Sequence, residues 1–456
     1  MKKIPVNRLF IILTPTRILA LGFALIILVG AGLLTTSAAT RSGVRTPFLD
    51  ALFTATSATC VTGLVVYDTY SYWAPFGQTV ILLLIQIGGL GFMTMATLFS
   101  FAMRKQITLK QRLVTAESFN QGDIQGIINL TRHVIFGTLL LEVAGALLLS
   151  IQFCRDFGLV DGVIKGVFHS VSAFCNAGFD LMGERDAFSS LVSYHSNFIV
   201  MYTVMVLIVI GGIGFSVWGD VLFRQRTKKG FSLHTKIVFT VTVMLLVAGT
   251  LGFFIFEYAN DKTLGGMNLW DKFTNALFQS VTTRTAGFNA VDQKGLTDQS
   301  KLLSIILMII GGSPGSTAGG IKTTTFGVLL IAILAVMRGY SDVNIFSRRL
   351  SGTLILRCLF ILMMALGIVV FGTMLICVFE DFDFLDILFE VSSAFGTVGI
   401  STGITPHLCG ASKVILIITM FLGRVGVLTI GWALALKSNN QRPSKIKYPE
   451  GKVSVG

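Results

Sequence analysis

Charge is what this sequence has least of. Only 13% of its residues are charged, whereas 53% are hydrophobic. Ordinary soluble domains carry about 25% charged residues, so a water-soluble globular chain is excluded. The six cysteines (Cys60, Cys154, Cys175, Cys358, Cys377 and Cys409) form no CxxC and no metal-ligand spacing with the five histidines. They read as free thiols among apolar neighbours. Acids are nearly absent from the apolar segments, where Glu142 stands alone at mid-span, and the histidines lie at span ends or in loops. That scarcity weighs against an ion-coupled secondary cation symporter, which binds its coupling ion through intramembrane carboxylates or histidines. There is no HExxH and no pair of catalytic acids inside a span, so the chain does not read as an enzyme.

What is present is apolar sequence in lengths that matter. Crossing the hydrocarbon core takes roughly 20 apolar residues, and eight segments qualify: about 18–34, 76–101, 134–153, 198–222, 237–256, 302–337, 354–379 and 414–436. Residues 1–34 with "TSAA" imitate a signal peptide, but the 18–34 segment pairs with the next in a pattern that recurs three more times, which identifies it as a span. The residues on one side (the amino terminus, 104–133, 223–236, 338–353 and the tail) carry 22 Lys and Arg against five acids, Asp220 at the boundary included. Lys/Arg excess marks the cytoplasmic side, which puts both termini inside a bacterial plasma membrane. The opposite face holds 11 basic and 17 acidic residues and concentrates cations. The formal charge of +13 therefore belongs to membrane topology, or to anionic lipid and an acidic partner protein, and not to nucleic acid.

The outer connections are apolar too, and they repeat. Residues 49–68, 164–182, 270–292 and 382–402 each hold an amphipathic run, then small and hydroxyl residues, then a glycine followed by an apolar residue. The glycines Gly63, Gly178, Gly287 and Gly399 are 115, 109 and 112 residues apart. A phenylalanine stands ten before the glycine in three copies (Phe53, Phe168, Phe389) and nine before it in the third (Phe278). A second motif follows each glycine: "IGGLGF", "IGGIGF", "IGGSPG" and "LGRVGV". Such periodicity marks a repeat architecture. The expected fold is an all-α polytopic membrane protein of four parallel helix–re-entrant pore loop–helix repeats around a central pore: 1–103, 104–223, 224–337 and 338–437, with a cytoplasmic tail at 438–456. Parallel repeats point to a pore along the membrane normal, whereas many secondary transporters use inverted ones.

Irregular backbone at membrane depth must be buried in protein or line a water-filled cavity. Four extended segments meeting on one axis meet that condition, with carbonyl oxygens replacing the hydration shell of a cation. Glycine reaches positive φ without steric penalty and can turn a carbonyl inward. The preceding residues, "CVTG", "CNAG", "RTAG" and "GTVG", supply no ring of carboxylates. Coordination by backbone oxygen favours a partly dehydrated monovalent ion over calcium or magnesium. Arg284, three before Gly287, is expected to point behind the filter and pair with an outer-face carboxylate.

One span breaks itself. Residues 302–337 number 36, and the middle, 311–325, is a poor helix former with Pro314 inside it. The corresponding span of the other units lacks this insertion, so the segment is expected to be a flap across the pore below the filter. Its residues are Gly311, Gly312, Ser313, Pro314, Gly315, Ser316, Thr317, Ala318, Gly319 and Gly320. Lys322 is expected to extend toward the inner surface along its stem. Arg424, aligned with Gly89, Gly212 and Gly312, is expected to donate hydrogen bonds to flap carbonyls and place positive charge in the cation's path. Glu142 is expected to make an interhelical hydrogen bond.

The four loop glycines with "CVTG", "CNAGF", "RTAGF" and "GTVG", plus "GGSPGSTAGGIKT" and "GRVG", resemble the KtrB family, the membrane subunits of bacterial Ktr potassium uptake systems within the Trk/Ktr/HKT superfamily. The resemblance covers nearly the whole chain. It implies potassium (K+) bound by the backbone oxygens of Val61, Thr62 and Gly63; Asn176, Ala177 and Gly178; Thr285, Ala286 and Gly287; Thr397, Val398 and Gly399. It further implies an intramembrane loop at the broken span, a homodimer on a KtrA-like cytoplasmic nucleotide-binding ring, and uptake stimulated by sodium (Na+). TrkH relatives carry two further amino-terminal helices that this sequence lacks. Sodium-selective HKT relatives carry serine at the first filter glycine, where Gly63 stands here.

Overall fold

The computed structural model describes residues 15–91, 113, 127–221 and 230–426. The amino-terminal arm, the tail and the distal parts of the expected spans 76–101 and 414–436 lie outside the described residues.

Each of the four units opens with a long apolar helix: α1 (Pro15–Leu34), α4 (Ile127–Phe157), α7 (Leu233–Glu257) and α11 (Gly352–Phe379). These four contain the segments long and apolar enough to cross a membrane. Their starts are specified locally. The Ser232 hydroxyl accepts from the Thr235 amide and the Ser351 hydroxyl from the Leu354 amide, satisfying amides that a helix start leaves unpaired.

A shorter amphipathic helix follows in every unit: α2 (Phe48–Thr59), α5 (Leu159–Phe174), α8 (Leu269–Thr282) and α12 (Phe384–Gly396). The repeating phenylalanines Phe53, Phe168, Phe278 and Phe389 are all buried, which fixes each helix by one equivalent side chain. The next helices are α3 (Pro75–Leu90), α6 (Phe198–Gly212), α9 (Asp298–Ile309) and α13 (Gly410–Val425). At 1.5 Å per residue, even the 16 residues of α3 rise only about 24 Å, short of the roughly 30 Å hydrocarbon core.

The four units close into a ring. The third helix of each packs on the short helix of the next: α3 on α5, α6 on α8, α9 on α12, and α13 back on α2. All four short helices therefore aim their carboxyl-terminal ends at a common axis.

The third helices do not run on, and here the structure departs from the sequence expectation. The insertion is confined to unit three, but the break is not. Gly91, Gly214 and Gly426 stand just past α3, α6 and α13 at φ of 81°, 102° and 90°, a conformation only glycine adopts freely. In unit three the non-helical segment runs from Ile310 to Lys322, and α10 (Thr323–Met337) resumes earlier than the expected 325. An antiparallel hairpin, β1 (Asn344–Ile345) with β2 (Arg348–Arg349), leads from α10 to α11.

Candidate functional site

Past each short helix the chain alternates its handedness. Val61, Asn176, Thr285 and Thr397 have φ of 57°, 60°, 69° and 51°, and the glycines two residues later have 96°, 69°, 84° and 90°. Four non-glycine residues in the left-handed region at one register position signal backbone held against its preference. What holds it is a hydroxyl residue on the helix behind. Ser57 accepts the Thr62 amide on its carbonyl (2.7 Å) and the Gly63 amide on its hydroxyl (3.1 Å). Ser393 does the same for Val398 (2.8 Å) and Gly399 (3.0 Å). In units two and three the carbonyls of Ser172 and Thr282 accept from Ala177 and Ala286, while their hydroxyls donate to Phe179 and Phe288 carbonyls, both at 2.7 Å. At least one strand amide in every unit is thus bound to the scaffold. Among the described residues, none of the carbonyls of residues 61–63, 176–178, 285–287 and 397–399 accepts a hydrogen bond.

The glycines meet edge to edge. A β-carbon built on Gly63 would lie 3.2 Å from the Gly178 Cα, one on Gly178 2.7 Å from the Gly287 Cα, one on Gly287 3.5 Å from the Gly399 Cα, and one on Gly399 2.7 Å from the Gly63 Cα. The ring of contacts closes in chain order, so all twelve residues singled out in the sequence are brought together. Outside the ring opens a vestibule of about 600 Å³, bordered by the four glycines and by Asp68, Asp180, Asp186 and Asp292. Asp68 accepts amides of Tyr70, Ser71 and Phe188, so it ties outer loops together. No group of three metal-ligating side chains occurs among the described residues.

Beneath the ring lies the 310–322 segment of unit three, in contact with units two and four. Its own ends are clipped by a parallel bridge between Ile310 and Ile321. Unit two holds it most firmly. The Ser313 and Thr317 amides donate to Gly212 and Gly211 carbonyls, Phe215 donates to the Gly315 carbonyl at 2.7 Å, and the Thr317 hydroxyl reaches Asn176 Oδ1 at 3.1 Å. From unit four, Arg424 donates to the Thr317 carbonyl and also to Gly88 and Gly89 carbonyls of unit one at 2.5 and 3.2 Å. Gly319 abuts the Thr397 side chain so closely that a β-carbon there would overlap it.

Two side chains depart from expectation. Lys322 does not extend toward the inner surface; its ammonium folds back on the Ala318 and Gly319 carbonyls at 2.7 and 3.3 Å, because the turn at Gly320, φ 63°, brings those oxygens within its reach. Arg284 makes no ion pair with an outer carboxylate. It is buried and donates downward to the Gly311 carbonyl at 3.1 Å, since the strand's handedness turns its side chain away from the outer face. Glu142 does bridge helices, accepting from Gln86 at 3.1 Å. Gly311–Gly315 also happens to match the nucleophile spacing G-x-S-x-G, but the Ser313 hydroxyl is bonded to that of Thr323 at 2.9 Å, and no histidine bonds it among the described residues.

The second-helix glycines repeat along the sequence, yet their purpose is legible only in three dimensions. Gly88, Gly211 and Gly423 lie directly against the terminal carbonyls of the short helices at Thr59, Phe174 and Phe395, where any β-carbon would overlap. Gly311, at the same register, faces its own segment's Gly319 carbonyl instead.

Comparison with known proteins places this geometry. The family described as TrkH, cation transport protein, matches residues 23–442. A Bacillus subtilis protein named Ktr system potassium uptake protein B is 42% identical over 97% of both chains. An Enterococcus hirae protein named potassium/sodium uptake protein NtpJ is 40% identical over 97% of this chain and 98% of its own. The crystal structure of the potassium transporter TrkH from Vibrio parahaemolyticus superposes with a TM-score of 0.73 over 93% of this chain and 86% of that one, at 16% identity, which establishes a shared fold.

Proposed function

We propose, from the premise that this chain belongs to the TrkH family of cation transport proteins, that it takes up potassium through a filter of main-chain oxygens gated by the 310–322 segment. One observation carries the reading: four strands with the same alternation of handedness close a ring whose carbonyls are left without donors among the described residues. Carbonyl oxygens of that kind replace the hydration shell of a monovalent cation, and the acidic outer vestibule raises its local concentration.

The 310–322 segment is the gate. It crosses the axis below the ring, and the guanidinium of Arg424 pins it at Thr317 while adding positive charge to the ion's path. Potassium is the cargo, in line with the names of the two relatives at 40 and 42% identity, and sodium stimulates the uptake. The working unit is a homodimer in a bacterial plasma membrane with both termini cytoplasmic, seated on a cytoplasmic nucleotide-binding ring as the membrane subunit of a Ktr-type system. Symport through Glu142 is the weaker reading, because its carboxylate is already engaged by Gln86 between two units.

The test is ion flux by the purified chain in liposomes. The reading requires potassium and rubidium to pass and sodium to pass far more slowly; equal rates for all three overturn it.

A further inference from the structure

Arg284 stands three residues before its filter glycine, where the other units carry Cys60, Cys175 and Gly396. Only unit three, the unit with the broken helix, has a side chain at this register long enough to leave the strand and reach the helix below. It does so: the side chain is 7% exposed, and Nη2 donates to the Gly311 carbonyl at 3.1 Å, where the break begins. Nη1 has no partner. The Thr242 hydroxyl on α7, 8% exposed, has none either. Arg284 and Thr242 line the same small cavity of about 20 Å³, with Gly212 and Gly312 among its walls. One water needs roughly 10–15 Å³ and at least two polar partners, which this cavity supplies.

We propose that Arg284 is a positioning residue, a strut that holds the third filter strand and the 310–322 gate as one body, braced by a single buried water between Nη1 and Thr242. This rests on the filter and gate reading above. Strand three cannot shift without pulling on Gly311, so the start of the break anchors one quarter of the carbonyl ring, and that anchor stays in place when the segment is released at Thr317. Arg424 holds the same segment from the neighbouring unit four, at Thr317, and the two act on one element.

The experiment measures potassium flux and the potassium-to-sodium ratio of the full chain in liposomes, with melting temperature alongside, for Arg284→Gln, Arg284→Lys, Thr242→Val and Arg424→Ala. A bond to a charged donor is worth about 1.5–3 kcal/mol, so Arg284→Gln should raise flux roughly tenfold and lower the ratio. Arg284→Lys, which keeps a donor for Gly311, should restore both. Thr242→Val should raise flux about threefold. Arg284→Gln should add less on the Arg424→Ala background than alone, as expected for residues sharing one element. Wild-type flux and ratio in a folded Arg284→Gln protein overturn the strut, as does full additivity with Arg424→Ala. If Arg284→Gln does not fold, Thr242→Val decides: raised flux sustains the strut and unchanged flux overturns it. Arg424→Ala separates the two readings. Raised flux there, without an effect at Arg284, removes the strut alone; no effect at either removes the gate.

Discussion

Two layers of this molecule, one directly beneath the other, obey opposite rules. In the filter layer the four units agree residue by residue: the same two left-handed positions, a hydroxyl residue behind each strand, the same buried phenylalanine. In the layer below they disagree. Two units carry a bare glycine break, one carries the 310–322 insertion, and one carries Arg424 where the others have glycine. Recognising a spherical ion calls for equivalent oxygens around it, so any unit that drifts degrades the ring. An obstacle needs no symmetry; it has to be placed from one side and held from the others. The difference teaches that selectivity and gating are set at different depths here, with Arg284 the side chain proposed to join them.

Breaking the upper layer should have the largest effect. In Gly399→Ala the new β-carbon would overlap the Thr62 carbonyl and lie 2.7 Å from the Gly63 Cα, at φ of 90°. Strain of about 1–3 kcal/mol placed inside the ring should abolish most potassium flux in liposomes while the protein still purifies as a folded species.

Breaking the lower layer should act in the other direction. Arg424→Ala removes the bonds to Thr317, Gly88 and Gly89 and should raise potassium flux roughly tenfold, the worth of one such charged bond.

A smaller contrast sharpens the comparison within the lower layer itself. A β-carbon on Gly214 would sit 2.8 Å from the Pro314 carbonyl of the gate, whereas one on Gly91 meets nothing within 4 Å among the described residues. Both have positive φ, so Gly214→Ala and Gly91→Ala should each lose about 1 kcal/mol of stability. Only Gly214→Ala should also change the potassium flux.

The smallest effect lies outside both layers. The Lys165 ammonium, 2.5 Å from Glu184 on the outer face, holds that carboxyl below the usual carboxylate range. A carboxylate with a depressed value stabilises the fold above its unfolded value and loses that contribution as pH falls through the folded one. Melting temperature should therefore decline slightly more steeply in the wild type than in Glu184→Gln once the pH drops below about 4.5.

The sequence made the upper layer legible and left the lower one half read, for a physical reason. Equivalent residues repeat at equivalent spacing, so Gly63, Gly178, Gly287 and Gly399 announce themselves, and the one-residue deficit before Gly287 was visible as well. Asymmetric contacts leave no such trace. Arg284 looked like a hazard needing an outer carboxylate because sequence carries no record of which way a left-handed strand turns its side chains. Lys322 was expected to seek the surface because the curl that returns it to Ala318 and Gly319 depends on Gly320 at φ of 63°. The breaks at Gly91, Gly214 and Gly426 hid inside motifs that also serve close packing, where Gly88, Gly211 and Gly423 admit the short-helix carbonyls.

The most direct test compares one mutation in each layer by the potassium-to-sodium permeability ratio in liposomes. Gly63→Ser, whose β-carbon would lie 2.5 Å from the Ala177 carbonyl, should admit sodium and lower the ratio, while Arg424→Ala should leave it at the wild-type value despite faster flux. An unchanged ratio in Gly63→Ser, or a ratio that falls equally in both, would contradict the assignment of selectivity to the ring and of gating to the layer beneath it.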